Sequence, residues 1–507
     1  MIAPIRDYAR TMRWSHAALQ AVALFVACAA GFYLLLGELG PRIADIDALY
    51  HYQVASLMRE RLSWVDISWL PFTVLGEHGP DHHFLFHVLV APITVAGHDQ
   101  AALNVACAVI AAALPAAIFP FLRRAGVPVA GLFALLTMFC SAALPFRFIG
   151  LRAQVLAVFF MVATLFVMSS RRHAWLFIVA FLFTESYHGA VILALFLGAT
   201  LAVQWLYERR IDFRLVTATA GGVFAGLLLS PWFPRNVSYL VFHTVFKTGS
   251  ADPFLIGLEW LRPDAMFLMR EALVAHVAFA SGIIALIVAR EPGRFPRVAQ
   301  ETLVACIVTA VFLAMTAFAW RFVEYYGPFA IIACALLWRD AARAMPGRHW
   351  TARGPIVLAV ALLAWGIPKG LQTVRGAQGE RFDAFADFMR YVDANDPKPM
   401  VFNTFWSDFQ HMVYWSRSAR YAAGLDGNYL RFGDPARFRL WYDFSAGHRL
   451  DRHDNAREIA RVFGARWIVV SEKQPVLADN LAQDPDAALA MARPGSGWLF
   501  EIRPGPR

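Results

Sequence analysis

Charge is scarce in this 507-residue chain: Asp, Glu, Lys and Arg make up 16% of it, against 58% hydrophobic residues and a mean hydropathy of +0.48. Soluble domains carry about 25% charged residues, so the composition excludes an ordinary soluble protein and indicates an integral membrane one. Cysteine is scarcer still. The five, Cys28, Cys107, Cys140, Cys306 and Cys334, each sit inside an apolar run, and none forms a C-x-x-C pair. That argues against a disulfide framework and against a thiolate metal site. The G-x-S-x-G, G-x-x-x-x-G-K-[ST], G-x-G-x-x-G and H-E-x-x-H signatures are missing as well, which counts against hydrolase, P-loop, dinucleotide-binding and zincin chemistry. The net charge of +9 does not point to nucleic acid, because the arginines gather in short turns between apolar runs.

Apolar runs of bilayer length are what the chain has in quantity. They fall near 16–36, 100–122, 128–146, 151–169, 174–187, 189–206, 214–231, 271–290, 301–319, 321–338 and 355–373. Together they predict about eleven transmembrane helices. The pairs Arg123-Arg124, Arg171-Arg172, Arg209-Arg210 and Arg339-Arg343 all lie on one side of the alternation, as does the basic start with Arg6, Arg10 and Arg13. By the positive-inside rule that side is cytoplasmic. Loops 37–99 and 232–270 and everything after about 375 then face the periplasm of a bacterial inner membrane. The tail, 376–507, changes character: "PMVFN", "RWIVVSE" and "WLFEIR" read as strands, and "RFDAFADFMRYV" and "DNAREIARVF" as amphipathic helices. The expected fold is a polytopic α-helical membrane domain, 1–375, followed by a small extracytoplasmic α/β domain, 376–507.

Protonatable groups concentrate in the first outer loop. In "DIDALYHYQVASLMRERL" the residues Ile46, Tyr50, Val54, Leu57 and Met58 follow helical spacing, and Asp47 and His51 share the opposite face. This predicts an amphipathic helix lying along the membrane surface. Asp45 suits the helix N-cap, whereas Asp47 and the later Asp81-His82-His83 have no such local explanation. Asp47, Asp81 and His82 carry ligand atoms suited to Mg²⁺, Mn²⁺ or Zn²⁺, although no closed zinc-site spacing is present. On the outer side Arg147, Arg152 and Arg321 stand where the orientation rule disfavours arginine, and guanidinium suits a phosphate bidentately. An ion pair of Arg321 with Glu324 is the alternative. Glu259 lies among aromatics in "PFLIGLEWLRPD".

These residues together resemble the GT-C class of membrane glycosyltransferases. "DIDALYHYQ" is similar to the D-P-x-Y-H-Y-R segment of oligosaccharyltransferase catalytic subunits, whose aspartate is catalytic. "GPDHHFLFHVLVAPITVAG" resembles the H-P-P-L-Y-Y stretch of lipid A aminoarabinose and protein mannosyltransferase relatives. "RFVEYYGPF" is similar to the opening of a late span in such enzymes. "MVFNTFWSDFQHMVYWSRSARYAAGLDGNY" resembles V-F-N-x-W…D-G-R, with Asn428 in place of the arginine.

The resemblance implies sugar transfer from a polyprenyl-phosphate donor to a glycan, lipid or protein acceptor. It implies Asp47, or else Asp45, as catalytic base, and Arg321, Arg152 and Arg147 on the donor phosphate. His51, Asp81, His82, His83 and Glu259 would serve the acceptor. Membrane lipids are the remaining partner, and nucleic acid is not one. Two departures stand out: "LPFRFIGLRAQ" lacks a second acidic pair, and no W-W-D-Y-G motif occurs, which argues against transfer to protein asparagine. A transporter or flippase is the rival reading, but it predicts acids in mid-span and inverted repeats. A non-catalytic scaffold is the other.

Overall fold

In a chain this apolar, a backbone amide has little water to turn to, and the helix satisfies it internally. Helices accordingly dominate the computed structural model, which describes residues 3–246, 254–290, 297–377, 379–449 and 454–503, with side chains from residue 16 onward. Packing divides the chain into two units: 1–39, 104–229 and 259–377 form the first, and 40–103, 230–258 and 378–507 the second.

Among the described residues, five helices are long and apolar enough to cross a membrane: His16–Gly37, Gln100–Arg124, His188–Glu208, Gln300–Phe318 and His349–Gly376. Ala265–Glu271 and Leu273–Val288, bent by 77°, make a sixth if taken as one span. Shorter helices, Gln154–Ser169, His173–Ser186 and Phe213–Leu229, and the 22-residue Val323–Ala344 stand at other places where the sequence predicts spans. The run at 128–146 differs from expectation: it is two short helices, Ala130–Leu136 and Leu144–Phe148. The reason lies in the backbone. Ala142 N–H donates to Glu271 O (3.0 Å) and Ala275 N–H to Cys140 O (3.1 Å), so this break pairs with the one at 271–273. Each break thus supplies the partners the other has lost.

Helix Phe213–Leu229 packs on His173–Ser186 through Gly222 and Gly226. A Cβ at Gly222 would lie 2.4 Å from Phe177 O and 2.7 Å from the Ala180 Cβ. Small residues four apart let helix backbones approach this closely. The five cysteines are all free, as their scattered apolar settings predict.

The second unit is built on a five-stranded sheet, β1 (Met400–Asn403), β2 (Arg420–Tyr421), β3 (Trp467–Val470), β4 (Ala487–Arg493) and β5 (Gly497–Ile502), in the order β2-β1-β3-β5-β4. β1 runs parallel to β2 and β3, whereas β5 is antiparallel to β3 and β4. β1, β3 and β5 lie in the stretches read as strands. β2 and β4 were not expected, since one is two residues long and "AALAMAR" holds no β-branched or aromatic residue. The described residues of 40–103 and 230–258 pack with this unit. Tyr421 N–H donates to Trp69 O (2.8 Å), Val74 N–H to Tyr429 O (3.0 Å) and Gly427 N–H to Leu255 O (3.0 Å). Leu255 also joins Phe402, Trp441, Ile468 and Phe500 in one buried apolar cluster.

Helix Asp47–Arg61 departs from the surface helix expected. Every residue from Ala48 to Met58 is buried, because the helices Phe84–Val90 and Phe409–Trp415 both pack on it.

Two outcomes follow from this packing. Gly222→Leu forces its two helices apart and lowers stability by roughly 1–3 kcal/mol, measured by thermal unfolding in detergent. In the second unit Asp408 is buried, and burial together with the charge of Glu380 pushes its pKa up to about 7, against the opposing pull of Lys473 and Ser471. The folded state therefore holds a proton that the unfolded chain releases above its ordinary pKa of 3.8. The resulting stabilisation, roughly 4 kcal/mol at most, is present below pH 4 and is lost as pH rises toward 7. Asp408→Asn cannot release that proton, so the Tm advantage of wild type over this variant must shrink between pH 5 and 8.

Candidate active site

In the second unit, the two aspartates of "DID" divide their roles. Asp45 is buried, and its Oδ1 accepts the Asp47 N–H at 2.9 Å, fixing the turn that starts the helix. The N-cap is Ile46, without a side-chain cap bond, so Asp45 stands one residue before the position expected for it and holds the turn instead. Asp47 is the first helical residue and is half-buried, and its Oδ1 accepts from Gln410 Nε2 at 3.3 Å. The neighbouring Tyr50 is fully buried and stays a phenol, since burial and the charges of Asp81, Tyr429 and Asp47 push its pKa well up.

One turn after Asp47, His51 ends a buried chain of hydrogen bonds. Asp81 Oδ1 accepts the His83 N–H (2.9 Å), and Oδ2 lies 2.7 Å from His87 Nδ1. His87 Nε2 lies 2.8 Å from His51 Nδ1. Only His87 can donate to the carboxylate, so its Nδ1 carries a proton. With neutral rings Nε2 then accepts from His51 Nδ1–H, which leaves the lone pair of His51 on Nε2. The chain works like the carboxylate that orients a catalytic histidine.

His83 is buried, with its ring 5.3 Å from that of His51, and its pKa is held well below the usual value by burial and by the charges of His51, His87 and His243. His82 is half-buried and stacks on Tyr239 at 4.7 Å, with Tyr239 in turn bonded to the Tyr429 hydroxyl.

The first unit gathers the arginines. Arg147 and Glu324 form a buried ion pair through Arg147 Nε. The local pair of Arg321 with Glu324 is therefore not the one made; the partner is 177 residues away. Arg321 is buried and its guanidinium stacks over Trp260 at 4.2 Å. It makes no hydrogen bond or ion pair among the described residues. Arg147 Nη2 is likewise a buried donor with no hydrogen-bond partner among them. Tyr187 and Tyr325, joined hydroxyl to hydroxyl at 2.7 Å, act electrostatically on Arg321.

Glu259 stands in the same field, so the structure brings it together with the arginines. Burial would raise its pKa, but Arg147, Arg152 and Arg321 outweigh that and lower it to about 2. The donors of Arg321 and of Arg147 Nη2 that meet no acceptor among the described residues are of the kind a phosphate oxygen accepts.

Asp47, Asp81 and His82 carry the atoms that would hold a divalent metal. Each Asp81 oxygen already meets one partner, His83 N–H or His87 Nδ1, so a cation at Asp81 would share an oxygen with the histidine chain. Sequence reasoning passed over His87, Gln410, Trp260 and Tyr187. For His87 one signal was available, an imidazole four residues after His83 inside "FLFHVLV". Asn428, which replaces an arginine of the resembled motif, is fully buried, and neither amide atom has a hydrogen-bond partner among the described residues.

No known family profile matches the chain, and no curated protein sequence matches it. Solved structures do. The oligosaccharyltransferase of Archaeoglobus fulgidus aligns with a TM-score of 0.61 at 12% identity, covering 96% of this chain and 74% of that one. ArnT from Cupriavidus metallidurans, bound to undecaprenyl phosphate, gives 0.58 at 13%, covering 94% and 97%. Arabinofuranosyltransferase AftD from Mycobacteria gives 0.56 at 14%, over 95% of this chain and 40% of that protein. Identities this low carry a fold and leave the reaction to be argued from the site. The chain has the fold of the GT-C membrane glycosyltransferases.

Proposed function

We propose that this protein transfers a sugar from a polyprenyl-phosphate donor to an acceptor hydroxyl, inverting the anomeric centre. The observation that carries this reading is the buried guanidinium of Arg321, which stacks on Trp260 and makes no hydrogen bond or ion pair among the described residues. A buried arginine without an anion is costly, and a donor phosphate supplies one. The ligand of the ArnT structure, undecaprenyl phosphate, is of that chemistry.

In the proposed step the acceptor oxygen attacks the anomeric carbon and forms the new glycosidic bond. The bond from that carbon to the phosphate oxygen breaks, and polyprenyl phosphate leaves with the electron pair. Asp47 takes the acceptor proton as general base. Arg321, Arg152 and Arg147 stabilise the charge that gathers on the leaving phosphate. Asp81 and His87 are positioning residues: they hold His51 with Nε2 as an acceptor for a sugar hydroxyl. His82 and His83 in the second unit, and Glu259 in the first, are the remaining polar candidates for substrate contact. The same reading carries about eleven crossings, an inner-membrane location, a cytoplasmic N-terminus and a periplasmic C-terminal domain. The acceptor is a glycan, a lipid or a protein.

Release of polyprenyl phosphate from a panel of polyprenyl-phosphate sugars tests the reaction. Asp47→Asn should lower kcat by roughly 10²–10⁴-fold with little change in donor KM. Arg321→Ala should raise the donor KM and slow phosphate departure, by about tenfold or more in kcat/KM. Consumption of no donor, or full activity in Asp47→Asn, would sink this reading.

The histidine chain has its own signature. Asparagine at position 81 can donate to His87, which reverses both tautomers and places a proton on His51 Nε2. Asp81→Asn should then lower kcat and shift the pH–rate profile, while His87→Gln should lower activity without that shift. Unchanged profiles in both would restrict the chain to a structural role.

A further inference from the structure

A groove of about 500 Å³ opens in the first unit between helices Gln100–Arg124, Gln154–Ser169 and His173–Ser186. Its volume lies in the range of ligand sites. The walls are apolar and aromatic: Phe121 stacks on Phe166 at 5.5 Å and touches Phe159 at 6.3 Å, and Trp175 stands at the edge with 57% of its surface exposed. The groove belongs to neither the histidine chain nor the arginine cluster of the candidate active site.

The rim is not apolar. Arg124, in the last turn of its helix, and Arg172, which immediately precedes the His173–Ser186 helix, both line it. Neither side chain makes a hydrogen bond or ion pair among the described residues. The one carboxylate in the lining, Glu301, is already met by Arg339 Nη1 at 2.8 Å. The remaining charge at the rim is therefore two guanidinium groups, beside a helix start whose N–H groups also favour an anion. An apolar trough that ends in two unpaired arginines has the polarity of a lipid: acyl chain along the phenylalanines, phosphate at the rim.

We propose that this groove binds one anionic glycerophospholipid from the leaflet on the arginine-rich side of the protein. Charge complementarity commits it to an anionic headgroup, since a zwitterionic lipid brings a choline or amine that the two arginines repel. The lipid is a resident of the bundle and distinct from the donor proposed above; its binding does not depend on the transfer reaction.

The test is a native mass spectrometry titration of the purified full chain with phosphatidylglycerol and, separately, phosphatidylcholine. Arginine near an anionic lipid surface contributes about 1 kcal/mol, so Arg124→Ala/Arg172→Ala should bind phosphatidylglycerol about thirtyfold more weakly. Phosphatidylcholine binding should be the same in both proteins. Trp175 locates the site: phosphatidylglycerol with brominated acyl chains should quench the emission that Trp175→Phe removes. The proposal fails if the double variant retains phosphatidylglycerol as wild type does. It fails equally if both lipids bind alike, or if lipid binds while Trp175 stays unquenched.

Discussion

The desolvation of arginine is the constraint on which the first unit turns. Removing a guanidinium from water costs several kcal/mol unless each donor finds an acceptor. Arg339 shows the fully compensated case. Its Nε donates to Asp340 (2.8 Å), Nη1 to Glu301 (2.8 Å) and Ala125 O (3.2 Å), and Nη2 to Thr302 Oγ1 (2.8 Å). That residue ties three segments together and has nothing left to offer a ligand. Arg147 is half-compensated by Glu324, and Arg321 has only the face of Trp260. The gradient from saturated to unsaturated arginine, within one bundle and at similar burial, is why the proposed phosphate contact falls to Arg321 and not to Arg339.

The second unit meets the same constraint by a different route. Around its first helix the buried polar groups include His51, His83 and His87, which are neutral at little cost where an arginine cannot be. A single carboxylate, Asp81, sets the proton position through His87 to His51, and the low dielectric that would punish an unpaired ion strengthens each bond of the chain. Burial on every side of the Asp47–Arg61 helix is what makes this possible, because a helix with one wet face would exchange these bonds for water.

Local chemistry was legible in the sequence and tertiary pairing was not. Apolar run length located most of the helices, and alternation located β1, β3 and β5. Asp47, Asp81, Arg147 and Arg321 stood out because acids and outer-side arginines are expensive in an apolar chain. The misses share a cause. His51 meets His87 across 36 residues, and Arg147 meets Glu324 across 177, so no window of sequence contains both partners. The i, i+3 spacing of Arg321 and Glu324 suggested a local pair that the fold does not make. The break at 137–143 was hidden for a similar reason: its hydrogen-bond partners lie at 271 and 275, and the run itself is uniformly apolar. Burial of the Asp47–Arg61 helix was equally invisible, since Asp47 and His51 look like a solvent face until one sees what covers them.

Glu259 connects the electrostatics to a sequence of binding events. An acid with its pKa lowered to about 2 by three arginines is itself the anion those arginines prefer. Under the proposed reaction a phosphate entering the same field would add negative charge beside a carboxylate that stays ionised at neutral pH, so the two would repel. Glu259 sits in a short turn, Leu258–Trp260, outside the long helices. Its neighbour Trp260 is the residue stacked on Arg321. The acid whose charge acts on Arg321 and the ring that covers its face are therefore adjacent in one turn, so the field and the stacking at this arginine depend on the same short segment.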